Sequence, residues 1–152
     1  MVRVILITWL LVALTVAVHA LGLALMLKRL MDAHARPPTG VWAITISLVR
    51  VAWSFILTHL CAIFIWAGFY WWQGCLPDPE SAFYFSGVTY TTVGYGDLLL
   101  PQPWRILAPV QALAGILMCG LSAGFFFAIV SRIHAPHFKS KPVLPTGDQA
   151  SH

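Results

Sequence analysis

Thr91-Thr92-Val93-Gly94-Tyr95-Gly96-Asp97 lies between two long apolar stretches, and the fold turns on how those seven residues are read. Glycine at alternate positions, 94 and 96, lets the backbone adopt positive φ twice in three residues, which side chains would resist. Outward from this loop the chain is membrane-like. Of its 152 residues 59% are hydrophobic and 9% charged, against roughly 25% charged in a soluble domain. The net charge of +4 is not a nucleic-acid signal, because the basic residues sit mostly at the ends of apolar runs.

Three runs are long enough to span a bilayer. The first, residues 4–27, ends at Lys28-Arg29, and a polar stretch to Gly40 containing Arg36, Pro37 and Pro38 is expected to be a loop. This run exceeds the apolar core of a signal peptide, so it is read as a span and not a cleaved leader. The second run covers 51–72, with 41–50 extending the same helix backwards. Its late aromatics, Trp66, Phe69, Tyr70, Trp71 and Trp72, suit the headgroup level. After a short loop, Asp78-Pro79-Glu80-Ser81 has the signature of a helix start: Asp as cap, Pro in the first position, Glu in the first turn. The helix to about Thr91 is too short to cross. Backbone at membrane depth that is not helical must then be buried in protein or line water. A turn at Pro101-Gln102-Pro103 precedes a third span from 104 to about 133, which Pro136 is expected to stop. Three units follow: a leading helix and loop (1–40), a central unit (41–134) and a polar, disordered tail (135–152). Cys61, Cys75 and Cys119 have no metal-ligand spacing; Cys61 and Cys119 are expected to be small buried hydrophobes.

The quoted loop resembles the filter of potassium channels, and from about 78 to 133 the chain is similar to that pore family. Small prokaryotic ion-channel proteins with one extra leading helix look similar. The resemblance implies an all-α membrane protein: three transmembrane helices, a re-entrant pore helix and a selectivity-filter loop, assembled as a homotetramer. It implies selective, passive potassium permeation, with the ion bound by oxygens of Thr92, Val93, Gly94 and Tyr95 and the loop completed by Gly96. The Thr92 hydroxyl would supply the innermost oxygen, and Val93 and Tyr95 would wedge outward against surrounding helices. Thr91, Asp97 and Tyr84 are expected to support the filter, Tyr84 by a hydrogen bond to Asp97. Gly115 falls nearest the family's gating glycine, while Gly120 and Gly124 suit close helix contact. Ile116, Cys119, Ala123 and Phe127 recur at helical spacing and are expected to line the cavity. An alternative reading is a non-conducting or regulatory subunit that assembles with another pore-forming chain.

The implied partners are the lipid bilayer, three identical subunits and potassium, with no cofactor, no nucleic acid and no enzymatic role. A filter facing outwards puts the amino terminus outside and the carboxyl tail in the cytoplasm of a cell (plasma or inner) membrane. Lys28, Arg29, Arg36, Arg132, Lys139 and Lys141 then lie inside and Arg3 and Arg105 outside, which agrees with the positive-inside rule. His19 and His59 fall inside the first two spans, where an ionisable group is a functional candidate by default. They are candidates for contact with each other or for proton sensing, the alternative being an ordinary satisfied helix-packing histidine.

Overall fold

In hydrocarbon every backbone N–H and C=O must find an internal partner, so long apolar segments become helices. The computed structural model describes residues 2–33 and 40–138, and among these the regular structure is helical with no strand. Helix α1 spans Val2–Ala33, α2 Val41–Trp72, α3 Pro79–Tyr90 and α4 Leu107–Phe138, the last preceded by a 3₁₀ turn at Trp104–Ile106. Helices α1, α2 and α4 have 32 residues each, or about 48 Å at 1.5 Å per residue. By length and composition, three segments can cross a membrane: Val2–Asp32, Val41–Trp72 and Trp104–Ser131.

Two helix ends differ from the sequence expectation. Helix α1 does not end at Lys28-Arg29 but continues to Ala33. Both residues are good helix formers and their charges suit a helix carboxyl end, so the helix outlasts the apolar run. The rest of the expected loop, 34–39, lies outside the described residues. Helix α4 passes through Pro136 to Phe138. So late in a helix, the missing N–H removes a single backbone bond and does not end the helix. Residues 139–152 of the expected tail lie outside the described residues.

Packing follows the pattern of small and apolar positions. On α1 the buried residues Val4, Leu11, Thr15, His19 and Met26 recur at intervals of 7, 4, 4 and 7, one stripe of a helix. One apolar cluster joins Val4 and Leu11 to Trp66, Phe69 and Tyr70 of α2, Phe85 of α3 and Leu107 of α4. A second, at the other end, joins Met26, Val51 and Ile129. The aromatic group expected at the headgroups therefore divides. Trp66, Phe69 and Tyr70 are core residues, and only Trp71 and Trp72 face outwards, because α1, α3 and the start of α4 together cover the others.

Helix α3 begins as its sequence predicts. Asp78 accepts hydrogen bonds from the Ser81 backbone N–H and hydroxyl, both at 2.8 Å. These bonds to the ionised form hold its carboxyl below the usual carboxylate range. Pro79 fills the first helical position. Ala82, Phe85, Ser86, Thr89 and Tyr90 are buried, which fixes one face of α3 against α2 and α4 and aims its carboxyl end at residues 91–97.

Candidate functional site

The 91–97 loop is tied to the last turn of α3 by its backbone. Thr91 N–H donates to the Gly87 carbonyl, Thr92 N–H to Thr89 and Gly94 N–H to Val88, each at 3.0 Å. Positive φ occurs at Thr92 (63°), Gly94 (51°) and Gly96 (77°), every second residue. Thr92 is the only non-glycine with positive φ among the described residues, a conformation that costs a side-chain-bearing residue about 1–2 kcal/mol. Alternating left-handed and ordinary residues turn successive peptide planes the same way. Consecutive carbonyls can then share one side of the strand, whereas in a β-strand they alternate. The sequence expectation named glycines 94 and 96 for this role; Thr92 extends it.

At its Asp97 end the loop is tied to α3. Tyr84 Oη donates to Asp97 Oδ2 at 2.8 Å, and the Leu98 N–H donates to Asp97 Oδ1 at 3.1 Å. The wedging expected of Val93 and Tyr95 is absent within one chain. They are 52% and 72% exposed, because no helix of the same chain reaches that side of the loop.

Behind α3 lies a polar network that the sequence reading missed. Gln111 of α4 donates through Nε2 to the Ser86 carbonyl (3.2 Å) and to Ser86 Oγ (2.8 Å), and its Oε1 accepts from Tyr70 Oη at 2.8 Å. Ser86 Oγ in turn donates to the Ile63 carbonyl at 2.8 Å. The available signal was Gln111 itself, a lone amide within an apolar run, since a polar group at that depth needs partners.

The two histidines do meet. His19 Nε2 and His59 Nδ1 are 3.1 Å apart, and Tyr90, the last residue of α3, places its hydroxyl 2.9 Å from His59 Nδ1 and 3.3 Å from His19 Nε2. His19 Nδ1 lies 2.9 Å from the Thr15 carbonyl, and the Thr15 hydroxyl accepts from Trp66 Nε1 at 2.9 Å. Tyr90 was not anticipated. In sequence it is an aromatic beside Thr91 and Thr92, with no local signal that sets it apart.

The glycines of α4 differ in their surroundings. A side chain at Gly115 would strike the Tyr90 carbonyl, so this position brings α4 onto the end of α3. Nothing lies near Gly120 or Gly124 in the single chain, although these two were the ones read as contact glycines. Ile116, Cys119, Ala123 and Phe127 follow one another at intervals of 3, 4 and 4 on an exposed face of α4. Cys61 and Cys119 are exposed and not buried, because the helix faces they occupy are only partly covered within one chain, while Cys75 of the 73–78 loop is buried.

Residues 58–132 match the family model described as "Ion channel", a stretch that covers the later part of α2, all of α3, the 91–97 loop and most of α4. Over these residues the chain belongs to that ion-channel family. With three helices able to cross a membrane, it is a multi-pass membrane protein. Comparison with curated proteins and with solved structures gave no match.

Proposed function

We propose that the protein is a potassium-selective channel in which four copies set their 91–97 loops around a common axis. The observation that carries this reading is the run of positive φ at Thr92, Gly94 and Gly96 in an exposed loop at the carboxyl end of α3. In the channel, carbonyls of Thr92, Val93, Gly94 and Tyr95 replace the water of the passing ion. One loop presents only a quarter of such a cage, which is why four copies are required. The exposed Val93 and Tyr95 then pack on neighbouring subunits. Helix α3 is the re-entrant pore helix. Its carboxyl end carries partial negative charge toward the pore, and four such ends favour a cation there. Potassium moves down its electrochemical gradient with no covalent step. The amino terminus lies outside and the carboxyl terminus in the cytoplasm of a cell membrane, as the distribution of basic residues favours.

The test is ion flux from the purified full chain in liposomes, under potassium and sodium gradients in turn. Potassium passes and sodium largely does not; equal passage of both overturns the selectivity, and absence of flux favours a subunit that needs another chain. Gly94→Ala places a side chain at φ 51°, so selective flux is lost while membrane insertion persists. Normal flux in that variant means that ions travel by another route.

A further inference from the structure

His19 from α1, His59 from α2 and Tyr90 from α3 converge just behind the 91–97 loop, and the hydrogen-bond rules fix where their protons lie. The Thr15 carbonyl can only accept, so His19 Nδ1 carries the hydrogen that bridges their 2.9 Å separation. In a neutral His19, Nε2 is then an acceptor. It faces His59 Nδ1 at 3.1 Å, and two acceptors do not face each other at that distance. Neutral His59 therefore carries its hydrogen on Nδ1 as well. The one His59 Nδ1 hydrogen is shared between His19 Nε2 and Tyr90 Oη, and the Tyr90 hydroxyl hydrogen turns toward His19 Nε2.

This arrangement has room for one more proton and no second. An incoming proton binds His59 Nε2, and His59 Nδ1 passes its own hydrogen across the 3.1 Å contact to His19 Nε2. His19 is then the imidazolium, His59 is neutral with its hydrogen on Nε2, and the Tyr90 hydroxyl turns to donate to His59 Nδ1. The bond count is preserved. A further proton would make donors, and positive charges, of both facing nitrogens.

The surroundings offer one charge its compensation but not two. From α4, the Cys119 thiol is the titratable group set against Tyr90. Helices α2 and α4 contain no Asp or Glu. Asp32 of α1 lies thirteen residues beyond His19, about 20 Å along the helix, and Glu80 of α3 ten residues before Tyr90, about 15 Å. On α2, Arg50 lies nine residues before His59, about 13 Å. The favourable partners are the Thr15 carbonyl and the carboxyl end of α3, whose partial negative charge falls at Tyr90.

We propose that His19, His59 and Tyr90 form a binding site for a single excess proton, through which the leading helix acts on the loop at the end of α3. A second proton forces the imidazoles apart, releases Tyr90 and lowers potassium permeation. The flux part of this proposal rests on the channel reading; the proton site does not.

Full-length protein labelled with ¹⁵N in its imidazoles, reconstituted in liposomes, tests the site directly. His19→Gln and His59→Gln variants assign the two signals. At high pH both rings are expected to be Nδ1–H tautomers. On acidification from about pH 8 to about pH 5, the range that brackets an ordinary histidine, the pair titrates in two steps separated by at least about tenfold in proton concentration. In His59→Gln, His19 titrates in one step. Independent titration of the two rings, an Nε2–H tautomer at His19 at high pH, or no change over the range each overturns the site. Potassium flux is expected to fall about fivefold across the second step, the lower end of ordinary coupling between two sites. In Tyr90→Phe the histidine steps persist and flux no longer follows them; in His59→Gln the second step of flux is missing. Flux that is constant with pH in the parent, or that still tracks pH in both variants, overturns the coupling. If the parent passes no potassium at any pH, the channel reading fails and the ring spectra still decide the proton site.

Discussion

The two sides of α3 and its loop are finished to different degrees. On the rear side Ser86, Gln111, Tyr70, Tyr90, His19 and the Nδ1 of His59 find partners within one chain, and among the described residues no buried side-chain N or O lacks a partner. On the front side residues 91–97 are all exposed, with Val93 and Tyr95 held out by the backbone and touching little. A monomer that invests a left-handed threonine in a loop and leaves that loop uncovered has a rear built for stability and a front built for something outside the chain. The proposed tetramer supplies it. Substitutions on the rear should therefore cost folding, and substitutions on the front should cost permeation and leave folding nearly intact.

The largest effect expected is at Gly115. There a side chain meets the Tyr90 carbonyl, an obstacle that belongs to backbone and cannot swing away. Gly115→Val should destabilise the protein by about 3 kcal/mol or more, the upper end of overpacking costs, measured by denaturation in detergent micelles. Gly120→Ala, facing open space in one chain, should be neutral or stabilise by up to about 1 kcal/mol. Equal damage from both would mean that neighbouring subunits cover the Gly120 face as tightly as α3 covers Gly115, and the contrast between the two sides would fail there.

How much of this was legible beforehand depends on the kind of interaction. The helix start at Asp78, the spans and the loop could be read because they rest on local rules: a capping oxygen, apolar length, glycine at alternate positions. The Tyr84–Asp97 bond was legible only through the resemblance, since thirteen residues separate its partners. The Gln111–Ser86–Tyr70 network and the Tyr90 hydroxyl between two histidines were not legible, because α1, α2, α3 and α4 must first be docked before those atoms share a point. The same holds for the glycines of α4. Spacing alone treats 115, 120 and 124 alike, and only the end of α3 tells them apart. Helix ends misled in the other direction, because composition marks where an apolar run stops and not where the backbone stops coiling.

A smaller effect belongs to Gln111. Gln111→Leu keeps the bulk but leaves the Tyr70 hydroxyl without its acceptor and the Ser86 carbonyl without this donor, both in the interior. The cost should be about 2–3 kcal/mol, that of leaving buried polar groups unpaired. Pairing Gln111→Leu with Tyr70→Phe should recover part of it, since one orphaned group is then removed. If the double variant is no more stable than the single one, the network is not the unit that the geometry describes.

The smallest effect on folding is expected at the front rim. Tyr84 and Asp97 are both exposed, and their 2.8 Å hydrogen bond holds the outer end of the loop to α3 without burying anything. Tyr84→Phe should leave the thermal midpoint within about 2 °C of the parent, as a surface change does. Its consequence should appear in the ratio of potassium to sodium flux, because a loop released at Asp97 no longer fixes the spacing of the carbonyls between it and Thr92. A variant that unfolds early while keeping its ion preference would reverse the assignment of the two sides: the clamp would then belong to the fold, and the front would be held by its neighbours alone.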